Sequence, residues 1–206
     1  MDQLLANFTH QLPNGVNFRS VELEATSGYE AQHILNACAN TLENLTISPS
    51  DPIGTPWLSF LSSGAREYST NFIPAGDSEL RSLTLAGVTV LRRLTFRMTF
   101  PQGFFFDRAL FRETLSTITS PVFREFAVEL REPPSPRLAL EYLSRWEEID
   151  KLLEEQFAKH GNFKVIIRMG NPCDQEFFRR HAKEGFPFLA RRGCVGFDVS
   201  RNYPLP

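Results

Sequence analysis

Residues able to do acid–base, nucleophilic or metal chemistry are sparse and scattered along this chain. The four histidines are His10, His33, His160 and His181. None has a second His or Cys at ligand spacing, so the pattern reads as surface or capping histidines rather than a metal site or a general base. The three cysteines, Cys38, Cys173 and Cys194, are too few for a disulfide framework, and an odd count leaves one thiol free. They read as small buried hydrophobes. No Gly-x-Ser-x-Gly elbow, Gly-x-Gly-x-x-Gly loop, phosphate-binding Lys loop or His-Glu-x-x-His helix occurs. The turn Gly170-Asn171-Pro172 is the best anion-site geometry on offer, expected after a strand and before a helix. Asp174 and Glu176 would charge that first turn negatively, and Pro172 lacks an amide donor, so the turn reads as a helix cap. Five carboxylates, Glu147, Glu148, Asp150, Glu154 and Glu155, read as the wet side of an amphipathic helix. The expectation is therefore no catalytic residue, no metal and no cofactor.

The elements that would position any site are clearer. Apolar residues alternate at period two in Val21–Ala25, Leu45–Ile47, Leu94–Met98, Phe126–Leu130, Val165–Met169 and Val195–Val199, which marks six strands. Helical stripes lie between them: Ala31, Ile34, Leu35 and Cys38, then Phe111, Leu115 and Ile118. A longer stripe of Tyr142, Trp146, Ile149, Leu153 and Phe157 predicts a helix from about Arg137 to His160, with Gly161 as its cap. A last helix is expected to open near Asn171. The stretch Ser48–Gly76, rich in Pro, Ser and Gly, reads as a long loop around a short helix near Trp57–Leu61.

Alternating strands and helices argue for parallel strands joined by helical crossovers, in a doubly wound sheet or a solenoid. The central inward residues Leu23, Ile47, Phe96, Val128, Ile167 and Phe197 are separated by 24, 49, 32, 39 and 30 residues. Within the longest gap, Leu80–Leu85 lies too close to Phe96 for a full repeat and reads as an irregular rung or its outer side. Aligning the last four strands on these residues produces three outward columns. They are Arg93, Glu125, Lys164 and Cys194; Thr95, Ala127, Ile166 and Gly196; and Arg97, Glu129, Arg168 and Asp198. Charge sign alternates down the third column and through three members of the first. Opposite charges at one level of a sheet attract and like charges repel, so two such columns favour strands stacked in chain order. A doubly wound sheet reverses its order at a switch point, so the columns favour the solenoid.

The phrases Leu42-Glu-Asn-Leu45-Thr-Ile47, Leu80-Arg-Ser-Leu83-Thr-Leu85 and Leu91-Arg-Arg-Leu94-Thr-Phe96 are similar to the strand segment of leucine-rich repeats, and Phe123-Arg-Glu-Phe126-Ala-Val128 is a looser copy. Together with Ser116–Phe126, Trp146–Asp150 and Gly185–Gly193, the chain from about Val16 to Val199 resembles the repeat half of fungal F-box and leucine-rich-repeat-like proteins. The resemblance implies an α/β leucine-rich-repeat-like solenoid, with parallel strands in sequence order and helices on the convex side. Its concave strands would recognise a protein partner, which in the family is often a ubiquitination substrate. Met1–Ser20 is too short for an F-box and lacks its opening Leu-Pro-x-Glu phrase, so docking to a ubiquitin-ligase adaptor is not expected.

These readings give a short extension over 1–15, one irregular repeat domain over 16–200 with a long loop over 48–76, and a tail over 201–206. The 206 residues carry 22 Lys and Arg against 24 Asp and Glu, so neither nucleic acid nor an acidic membrane is favoured as a partner. No signal-like start is visible, and the nearly uncharged stretch Thr41–Gly64 is broken by Pro49, Pro52 and Pro56. A cytoplasmic or nuclear location is the expectation. Two function classes follow. The first is a non-catalytic protein-interaction module whose concave face presents Arg93, Thr95, Arg97, Glu125, Glu129, Lys164 and Arg168 to an unidentified protein. The second is an α/β enzyme or small-ligand protein whose site no motif reveals.

Overall fold

The computed structural model describes residues 17–24, 28–48, 83–99, 108–131, 146–157, 162–169 and 182–199. In chain order the elements are β1 (Ser20–Glu24), α1 (Gly28–Ala37), β2 (Asn44–Ser48), β3 (Arg93–Thr99), α2 (Arg108–Ser116), β4 (Glu125–Arg131), α3 (Glu147–Gln156) and β5 (Lys164–Met169). A 3-10 turn (Ala182–Gly185), the short α4 (Pro187–Arg191) and β6 (Val195–Val199) complete the series. The six strands form one open, all-parallel sheet in the order β1-β2-β3-β4-β5-β6. Parallel neighbours cannot be joined by a tight turn, and among the described residues α1, α2, α3 and α4 lie in the connections β1–β2, β3–β4, β4–β5 and β5–β6.

The expected register holds across the last four strands. Arg93 is level with Glu125, Thr95 with Ala127, and Arg97 with Glu129. Next, Glu125 is level with Lys164 and Glu129 with Arg168, and then Ile166 with Gly196 and Arg168 with Asp198. Period-two alternation sends Leu23, Ile47, Phe96, Val128 and Ile167 into one core together with Leu35 of α1, Phe111 and Leu115 of α2, Ile149 and Leu153 of α3, and Leu189 of α4. All described helices therefore contribute to the core on one side of the sheet. An aromatic chain runs through it: Phe96 to Phe111 at 4.0 Å between ring centres, Phe111 to Trp146 at 5.1 Å, and Trp146 to Phe186 at 5.7 Å.

Three expectations need correction. Trp146 is fully buried, as its stripe implied, but it stands at the N-cap position of α3, which opens at Glu147, rather than within a helix; residues 137–145 of the expected helix lie outside the described residues. Glu147, Glu148 and Asp150 crowd the next turn, and negative charge there favours a helix N-terminus. The Leu80–Leu85 phrase forms no strand over its described residues, Leu83–Leu85. Leu83 and Leu85 are buried in the core, while Gln32 of α1 accepts from the Thr84 N–H at 2.9 Å and donates to its carbonyl at 3.1 Å. With its backbone bonded by a helix side chain, the segment joins the core as an irregular strip. The third correction concerns Asp150, which is described below with the site. The loop expected over 48–76 beyond Ser48, the helix near Asn171, and Tyr142, His160, Gly161, Cys173 and His181 lie outside the described residues.

Candidate binding face

The side of the sheet away from the core carries the outward columns. Its middle is sheltered: Thr95 and Glu129 are 5% and 6% exposed, and Ala127 is fully buried. Burying Glu129 unpartnered would be costly. Arg97 donates from Nε to Glu129 Oε1 at 3.1 Å, and its Nη1 also contacts Glu22 of β1. That second contact crosses β2 where its outward residues are the short Thr46 and Ser48. Arg97 is thus held between carboxylates from two other strands.

Glu125 is the second hub. Arg93 meets it in a fork, Nε to Oε1 at 2.7 Å and Nη2 to Oε2 at 3.1 Å. Two parallel hydrogen bonds fix both planes and are stronger than a single charge contact. Arg168 donates to the same Oε1 at 2.8 Å and lies 3.6 Å from Asp198 of β6. The alternating columns are therefore real as register but differ as pairing. Arg168 takes Glu125 and Asp198 rather than its level neighbour Glu129, and Lys164, level with Glu125, makes no ion pair among the described residues. The Arg93 fork and Arg168 occupy both oxygens of Glu125.

Between these hubs lies an open cavity of about 400 Å³. Arg93, Arg97 and Arg168 line it with Glu22 and Glu129, while Ser20, Asn44, Thr46 and Thr95 supply neutral donors and acceptors. Such a surface can recognise polar and charged groups through preset hydrogen bonds. Among the described residues no group of three or more His, Cys, Asp or Glu could hold a metal ion. No described helix is long and apolar enough to cross a membrane.

Of the seven residues expected on this face, six sit within the pairing network or line the cavity: Arg93, Thr95, Arg97, Glu125, Glu129 and Arg168. Lys164 stands at the N-terminal end of β5. Glu22 was absent from the expected face, although the Val21-Glu22-Leu23 alternation already turns it outward. Asp150 departs from expectation altogether. Far from being solvated, it is fully buried and accepts from the amides of Phe188 at 2.6 Å and Leu189 at 3.1 Å, capping α4 from a neighbouring helix. Burial pushes its carboxyl above the ordinary range, against the pull of those two amides, and Glu154 and Glu147 add to the rise. The available signal was its spacing: Asp150 follows Trp146 by four and precedes Leu153 by three, which places it beside the buried stripe. Cys38 behaves as the sequence suggests, donating to the Ile34 carbonyl at 3.0 Å, with its thiol pushed up by burial. Compared with known proteins, the chain matches no family model, no curated protein and no solved structure.

Proposed function

We propose that the chain is a protein-interaction module that binds its partner on the outward face of the sheet, and that the sheet is one run of an irregular leucine-rich-repeat-like solenoid. The observation carrying this reading is the division of the sheet. Every described helix contributes to the core on one side, while the other presents ion-paired Arg and Glu around an open cavity. A face built this way offers prepositioned donors at little further ordering cost, which favours recognition of an extended polar surface. Strands stacked in chain order agree with a solenoid, as do the Leu-x-x-Leu-x-Leu phrases leading into β2 and β3. Kinship with the fungal F-box and leucine-rich-repeat-like proteins belongs to the same proposal. Among the described residues, Asp150 and Cys38, whose protonation burial displaces, lie in the helix-side core rather than in the cavity.

The test is affinity capture from cells with two face variants, each first checked for a cooperative melt. Thr46→Trp fills the cavity and displaces the Arg97 contact with Glu22 that crosses it, leaving the Arg97–Glu129 and Glu125 pairs in place, whereas Arg97→Glu with Arg168→Glu reverses its charge. A partner retained by the native chain and lost by both variants supports the reading. Undiminished capture by a folded Thr46→Trp chain and a folded double variant removes this face from consideration.

A further inference from the structure

The strand register explains the shape of the outward cavity. Thr46 of β2 is level with Thr95 of β3, and Thr95 with Ala127 of β4, so a row of short side chains crosses three strands. Longer side chains stand on either side of that row. Arg93 and Arg97 flank Thr95 on β3, and period-two alternation sends all three to one face. Arg168 reaches in from β5. It donates to Glu125 Oε1 at 2.8 Å, the same oxygen that Arg93 Nε meets at 2.7 Å. Sharing that atom keeps the two guanidiniums beside each other. Arg93, Arg97 and Arg168 all line the one cavity. The Arg97 and Arg168 side chains are only 18% and 19% exposed, so solvent and salt screen their charge poorly.

Arg93 forks onto Glu125, Arg97 meets Glu129 and Glu22, and Arg168 meets Glu125 and Asp198. A guanidinium carries more N–H donors than these contacts consume. We infer that the cavity takes a single carboxylate of a protein partner, held by the remaining donors of Arg93, Arg97 and Arg168 above the floor of Thr46 and Thr95. The inference rests on the outward face being the contact surface, and it names the group that enters there. Charge selects the class. Three arginines line the cavity against two glutamates, Glu22 and Glu129, an excess that one carboxylate matches. Glu125, outside the lining but bonded to Arg93 and Arg168, tempers that excess, so a phosphate dianion would bring too much negative charge. A planar carboxylate also suits the planar donor fork of a guanidinium. An acidic side chain and a chain-terminal carboxylate share this chemistry.

The experiment follows the arginine Nε–H signals of the isotopically labelled full chain by NMR while small probes are added at constant ionic strength. N-acetylglutamate α-amide stands for an acidic side chain, N-acetylleucine for a chain terminus, and N-acetylglutamine α-amide for the first shape without its charge. At least one carboxylate should shift the Arg93, Arg97 and Arg168 signals saturably, and the tighter of the two names the source. The glutamine probe should bind about tenfold more weakly or less. Arg93→Gln should weaken carboxylate binding by about tenfold in a chain that melts normally. Arg168→Lys keeps the charge but not the planar donors, and should give a smaller loss. Arg112→Gln, which makes the same change in net charge as Arg93→Gln on the exposed side of α2, should leave binding intact. Equal loss in Arg112→Gln overturns the inference, because the probe then senses net charge alone. Equal binding of the glutamine probe, tighter binding of inorganic phosphate, or no saturable shift at these arginines overturns it as well. Partner capture separates this from the reading beneath it. Capture lost in Thr46→Trp without carboxylate binding removes the inference alone. Carboxylate binding with undiminished capture leaves the site but removes the face as the partner's contact.

Discussion

The two sides of the sheet solve the same problem by opposite means. Toward the helices, strand residues alternate into a continuous apolar core in which Phe96, Phe111, Trp146 and Phe186 touch in series. On the outward side the same strands carry arginines and glutamates in a branched network. Burial of apolar area is non-directional and grows with every contact, whereas a partly exposed ion pair adds little beyond offsetting its own desolvation. The core should therefore carry the stability, and the outward network should specify which side chains point where.

The sharpest way to break this contrast is at Trp146. Its ring lies among Phe111, Phe126 and Phe186 and is fully buried. Trp146→Ala should cost about 3–5 kcal/mol, the range for large aromatic truncations in cores. Chemical denaturation would show this as a large drop in the midpoint, since typical domains have only about 5–15 kcal/mol in hand. A drop of a few tenths of a kcal/mol would mean that the core is not where the stability lies.

The two sides also differ in how far they could be read from residues alone. Period-two alternation and the helical stripes located all six strands, and the charge columns gave the register of four of them, because level neighbours in a parallel sheet face one another directly. Pairing within the columns was not legible. Arg168 is long enough to reach Glu125 instead of its level neighbour, and Arg97 crosses β2 to reach Glu22, choices set by side-chain reach rather than register. Asp150 was missed for a related reason. Its neighbours in sequence are charged, and only the docking of α4 against α3 explains a carboxylate in that place. The contribution of Leu83–Leu85 depends likewise on Gln32, which lies 52 residues from Thr84 in the chain.

The outward network is tested next, by a double-mutant cycle on Arg97 and Glu129. Arg97→Ala alone leaves Glu129 sheltered without that guanidinium, and should destabilise by about 1–3 kcal/mol. Glu129→Gln restores a neutral group, so the double variant should recover part of that loss. A cycle whose terms simply add would show that the pair is not coupled. The outward face would then be ordered by the strands alone.

Asp150 brings charge into the apolar side and should show a smaller effect with a distinct pH signature. Asp150→Ala removes the acceptor for two amides at the start of α4, and should cost about 1–2 kcal/mol. Protonation gives the sign. The folded-state pKa lies above the ordinary 3.8, so the native chain holds this proton more tightly than the unfolded chain. That contribution is fully present below about pH 4 and is lost as pH rises through the folded value. The margin of the native chain over Asp150→Asn should therefore be largest in acid and shrink toward neutral pH. Denaturant midpoints for both chains at several pH values measure it, and a margin that grows with pH would contradict the burial of the carboxyl.

The smallest effect calibrates the others. Lys151 and Glu147 form an i,i+4 pair at 3.0 Å on the wet side of α3, with side chains 52% and 62% exposed. Both ends can be solvated equally well when apart, and salt screens what attraction remains. The order Glu then Lys suits the helix dipole, so the pair should be slightly favourable, about 0.3–0.5 kcal/mol. Glu147→Gln should lower stability by no more than that, and the difference should fade as salt rises. Glu129 and Arg97 are 7% and 18% exposed at their side chains, so salt should screen them far less. Measuring the two pairs side by side across a salt series separates shelter from charge. If both faded equally, the middle of the outward face would be as wet as the helix surface, and the contrast between the two sides would reduce to one of residue type.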